Sequence, residues 1–138
     1  MERKKATLED ERQGDWVQTG DWVQTQLRDK LQLLAAQGQD QVHHFPPHVA
    51  IVDEMISDYL HDSVSIHTYW TLSQEQTRRL KVLHDFLLMQ DDPQYSNFWE
   101  EEALFTDPRW NEVRTLAKVA LTCLEWSIET PPPESGHV

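Results

Sequence analysis

The most regular run of apolar positions in the chain predicts a helix over residues 107–129. Trp110, Val113, Ala117, Ala120, Leu121, Leu124 and Ile128 recur at helical spacing, and Leu116, Val119, Cys123 and Trp126 widen the stripe past one face. Polar residues keep one line, Asn111, Thr115, Lys118, Thr122, Glu125 and Glu129, the mark of a helix covered on most sides. Asp107 is placed to accept from the free first-turn amides, and Pro108 has no amide to leave unpaired, so the start is well defined. Pro131, Pro132 and Pro133 set the expected end, because proline cannot continue the hydrogen-bond ladder.

The rest of the chain reads as shorter helices. Val23, Leu27, Leu31 and Leu34 predict one over 21–36, with Gly38 available as a left-handed cap. Residues 37–48 read as a loop, since each proline of Phe45-Pro46-Pro47 disfavours helical geometry in the residue before it. A second helix follows over 48–61, with Val49, Val52, Met55, Ile56, Tyr59 and Leu60 inward. In residues 62–72, Val64 and Ile66 alternate with Ser63, Ser65 and His67; a lone strand has nothing to pair with, so a bend is expected, with Tyr69, Trp70 and Leu72 over one end of the core. Ser73 and Gln76 form a capping box for a helix to Met89, with Leu80, Leu83, Phe86 and Leu87 inward, broken by Gln90-Asp91-Asp92-Pro93. A short helix over 96–105 is expected next, and Tyr95, Trp99 and Trp110 should make an aromatic hinge between it and the last helix.

Residues 14–19, GDWVQT, are repeated as residues 20–25. A six-residue shift turns a continuous helix by about 600°, placing Trp16 and Trp22 on faces about 120° apart, so both cannot fill one packing site. One reading is a slipped duplication with one Trp packed and the other exposed; the sharper one is a partner-binding patch or a homodimer contact.

These patterns add up to an all-α chain, a four- or five-helix bundle or orthogonal helical array with the C-terminal helix at its centre. The expected organisation is a charged N-terminal arm over 1–14, one domain over 15–130 and a disordered Pro-rich tail over 131–138. Composition changes the picture in three ways. At 138 residues the chain can bury roughly two-thirds of its unfolded surface without covalent staples. Its single cysteine, Cys123, precludes an intrachain disulfide and falls in the apolar stripe, which suits a small core residue better than a nucleophile. The formal charge of −12 disfavours nucleic-acid binding, which needs clustered Lys and Arg, and suits a basic protein partner. The basic start MERKK has no apolar run behind it and no stretch has membrane-spanning length, so a cytoplasmic protein without a membrane partner is expected.

Candidate chemistry is sparse. There is no phosphate loop, nucleophile elbow, paired-cysteine site or HExxH, and no cofactor is expected. His43, His44 and His48 flank two prolines without zinc-ligand spacing. Glu54, Asp58 and His61, four and three apart and followed by Asp62, are the best candidates for a metal site, with a distant acid such as Asp85 as base in a metal-dependent hydrolase. They lie on the polar face, opposite the apolar stripe, and no second helix offers a matching inward ligand set, so a solvated acidic surface explains them better. The favoured expectation is a small acidic binding module, an inhibitor, immunity- or antitoxin-like protein or assembly factor. Trp16, Trp22, Trp99, Glu100 and Glu101 are its candidate contact residues. Mimicry of nucleic-acid phosphates by its acids is a narrower version of that reading.

Overall fold

A computed structural model describes the backbone of residues 10–128 and the side chains of 20–128 apart from 93, 95 and 96. In chain order its elements are α1 (Asp10–Ala35), α2 (Gly38–His44), α3 (Ile51–Tyr69), α4 (Gln74–Met89), a 3-10 helix (Pro93–Trp99), α5 (Ala103–Thr106) and α6 (Pro108–Cys123). The described chain is all-α, with no strand. None of its helices is long and apolar enough to cross a membrane.

Four long helices surround the core. α1 packs against α3 and α6, α4 packs against α6, and α3 meets α4 more loosely. Hydrogen bonds between ends fix the directions. Trp70, just past α3, donates to the Gly20 carbonyl of α1 at 2.8 Å. At one end of α6 the Gln76 side chain of α4 donates to Cys123 O (3.4 Å), and at the other Arg109 donates to Gln90 Oε1 (3.2 Å). Neighbours therefore run antiparallel, up, down, up, down in the order α1, α3, α4, α6. The core they close is apolar and includes Leu27, Leu31, Met55, Tyr59, Leu83, Leu87, Trp110 and Val113, all 0 or 1% exposed. The Tyr59 hydroxyl, buried there, donates to Leu80 O at 2.8 Å, and burial pushes its phenol up from the ordinary value.

Local signals explain most boundaries. Both arms of the Ser73/Gln76 capping box form, at 3.0 and 2.9 Å. Asp107 accepts from Arg109 N at 2.9 Å with Pro108 in the first turn. The described members of the predicted polar line of α6, Asn111, Thr115, Lys118, Thr122 and Glu125, are all exposed.

Five expectations need correction. α6 stops at Cys123, well short of residue 129: Glu125 takes a left-handed conformation (φ 63°), its amide bonds Thr122 O (3.0 Å) and that of Trp126 bonds Leu121 O (2.9 Å). This is a Schellman motif with glutamate where glycine is usual. The chain then folds back, Gln32 Nε2 reaching Ser127 O at 2.8 Å, and Ile128 is half exposed. Gly38 is no left-handed cap; it begins α2 inside the expected loop, with Leu104 O 2.9 Å from where a Cβ would stand. α3 starts at Ile51 and runs on through the expected bend, because Ser63 and Ile66 continue its buried stripe while Val64 faces outward, 63% exposed. Residues 96–105 divide between the 3-10 helix and α5. α1 is one helix from Asp10, through the repeat and part of the expected N-terminal arm. The rest of that arm, residues 1–9, and the Pro-rich tail lie outside the described residues. Trp70 at Gly20 marks the level of the α3 end, so residues 10–19 extend about 15 Å beyond it at 1.5 Å per residue.

Candidate functional site

Everything between the long helices at the Ala36 end of the bundle is gathered around Arg114. This residue is 8% exposed, and among the described residues none of its hydrogen-bond partners is a carboxylate. Its Nε donates to Ala36 O (2.7 Å), one terminal nitrogen to Leu104 O (2.6 Å) and Gln41 Oε1 (3.0 Å), and the other to Asn111 Oδ1 (3.2 Å). Gln41, fully buried, donates in turn to Leu33 O and Leu34 O. A cation at the free carbonyls ending α1 meets the negative end of that helix's dipole. Burial nonetheless pulls the guanidinium below its usual pKa. One side chain thus joins α1, α2, α5 and α6.

The aromatic hinge forms with a different membership. Phe98 stacks on Trp110 (centroids 4.9 Å apart, 5° between planes) and meets Trp99 edge-on at 5.6 Å. The Tyr95 side chain is outside the described set. Trp99 Nε1 donates to Gln90 O at 2.7 Å, so this half-buried ring is anchored in the fold. Arg109 lies 5.3 Å over Phe98 and clamps Asp107, whose carboxyl is held below the usual range chiefly by that side-chain hydrogen bond.

With these groups turned inward, the surface of this end is acidic. Asp40, Asp53, Asp91 and Asp92 are exposed, as are Glu100, Glu101 and Glu102 on the link to α5. No Lys or Arg occurs from Leu31 to Thr77 or from Val82 to Pro108. Two hollows open here. One, of about 450 Å³, is polar and lined by Glu100, Glu102, Asn97, Thr106 and Asp107 among others. The other, of about 410 Å³, lies at the turn between α2 and α3, with Glu101 in its lining.

The sequence-predicted contact residues do not form one patch. Glu100 and Glu101 are exposed beside the anchored Trp99. Trp22 is 61% exposed but stands 14 residues of α1 before Ala36, about 20 Å away along the helix. The Trp16 side chain lies outside the described residues. Glu54 and His61 are exposed, Asp58 and Asp62 half-buried, with His61 Nδ1 3.2 Å from Asp62. Among the described residues no group of three or more His, Cys, Asp and Glu is placed to share a metal ion, and Asp85 is paired with Lys81 at 2.8 Å. His43 and His48 are exposed, whereas His44 is buried edge-on to Phe45 at 4.9 Å. Cys123 is half-buried. Comparison with protein-family models, curated proteins and solved structures returned no match.

Arg114, Gln41 and Gln90, which organise this end, are what sequence reading missed. A signal existed for the first. The polar line of α6 runs 111, 115, 118, 122, 125, and Arg114 falls off it, between Val113 and Leu116.

Proposed function

We propose that this chain is a small acidic binding module of the cytoplasm that acts through a basic protein partner, as an inhibitor, immunity- or antitoxin-like protein or assembly factor does. The observation that supports it is charge segregation. Exposed carboxylates collect at the Ala36 end, where Arg109 and Arg114 are committed to internal hydrogen bonds. Arg78 and Arg79 stand at the far end, at the start of α4, paired with Glu75 at 2.8 and 2.7 Å. Such a surface attracts a basic patch over long range and rejects acidic partners, nucleic acid included.

The test is affinity capture at low salt with the native chain and with a Glu100→Gln/Glu101→Gln/Glu102→Gln variant as baits. One basic protein recovered stoichiometrically by the native bait, released by salt and lost with the variant, is the expected result. Equal recovery by both baits, or none by either, removes the proposal. The metal-dependent hydrolase has no comparable support, given where Glu54, Asp58, His61 and Asp62 stand.

A further inference from the structure

The hollow at the α2–α3 turn differs from the rest of the acidic end in being apolar inside. It is lined by Phe45 and Ile51, both nearly buried, by the half-buried Val42 and Val49, and by the exposed Pro46 and Pro47. Exposed Glu101, from the segment before α5, and exposed His43 and His48 complete the lining, and among the described residues no Lys or Arg joins it. Its volume of about 410 Å³ is at the small end of the range for ligand sites, roughly 300–1,000 Å³.

The hollow is also stiff. Pro46 and Pro47 fix their own φ angles, and His48 reverses the chain in a left-handed conformation (φ 68°) that costs a non-glycine residue about 1 kcal/mol. A preformed cavity loses little conformational entropy when filled.

A hollow lined mostly by apolar residues, with one exposed carboxylate among them, is complementary to a long aliphatic stem ending in a cation. We propose, building on the binding-module reading, that this hollow receives an arginine side chain of the basic partner, its methylenes against Val42, Val49 and Ile51 and its guanidinium on the Glu101 carboxylate. Arginine fits better than lysine. Its planar, weakly hydrated head pairs with both carboxylate oxygens and lies flat on rings such as those of His43 and Pro47, whereas an ammonium keeps its water. Arginine anchors in desolvated pockets carry much of the energy of such interfaces. The surrounding acids then steer the encounter, and this pocket selects.

The experiment uses the full chain with methyl groups labelled for NMR, and acetyl-Ala-Arg-Ala-amide as probe against the same peptides carrying lysine or the neutral isostere citrulline. The arginine peptide should shift the Val42, Val49 and Ile51 methyl signals saturably. Citrulline should bind at least about tenfold more weakly, Glu101→Gln should abolish the shifts, and Glu75→Gln, at the far end of the bundle, should leave them. Equal shifts from citrulline, no shift at those methyls, or an unchanged response in Glu101→Gln would overturn the proposal. That failure is distinguishable from failure of the wider reading: a salt-released partner still captured would show the module intact and the pocket unused.

Discussion

Arg114 carries its charge into the interior without a carboxylate to meet it, so its energetic weight lies in the oxygens it satisfies. Arg114→Met keeps the bulk but strands Ala36 O, Leu104 O and Gln41 Oε1, and should cost roughly 3 kcal/mol, read as a lower urea midpoint at unchanged m. Glu125 is the opposite case, a residue its own backbone conformation disfavours. Glu125→Gly should raise stability by about 1 kcal/mol in the same measurement, since glycine takes φ 63° without a Cβ penalty. Asp107 adds a pH dependence. Its folded pKa is depressed by Arg109, so its stabilisation is complete above the unfolded carboxyl value, about 4, and disappears as pH falls through the folded value. Asp107→Asn keeps a capping oxygen and loses the pair; it should melt lower at neutral pH, by roughly 1 kcal/mol, and match the native chain at the acid limit.

At the scale of elements, the repeat in α1 allows a sharp expectation. Removing either GDWVQT copy yields the same sequence, and the remaining copy can occupy the register of Gly20 and Val23 against the bundle. The shortened chain should keep its fold and melt within about 2 °C of the full one, losing helical ellipticity for about six residues. Elements of this kind, written as apolar spacing plus a cap, were legible: α4 between Ser73 and Met89, the start of α6, and the inward Leu27 and Leu31 of α1. The misreadings have physical causes. Ser63 buried and Val64 exposed imitate alternation inside a helix. Phe45-Pro46-Pro47 hid α2 just ahead of it. The stop at Glu125 depends on a backbone reversal that its residue type does not announce.

For the molecule as a whole, a net charge of −12, with exposed Asp40, Asp53, Asp91, Asp92, Glu100, Glu101 and Glu102 at the Ala36 end, means self-repulsion in the folded state. Added neutral salt should therefore raise the melting temperature by about 2–4 °C, and Glu100→Gln/Glu102→Gln should raise it without salt and flatten the response. The sign of that charge and the exposure of Glu100 and Glu101 could be read from sequence. Their separation from Trp22 could not, because it depends on which helix ends meet. Nor could the hollow beside Glu101, whose walls come from α2, the turn after it and the link to α5. Among the described residues no exposed Lys or Arg stands with the acids of the Ala36 end, so that end carries a negative field of its own. A cation drawn in by that field would meet the acidic end first.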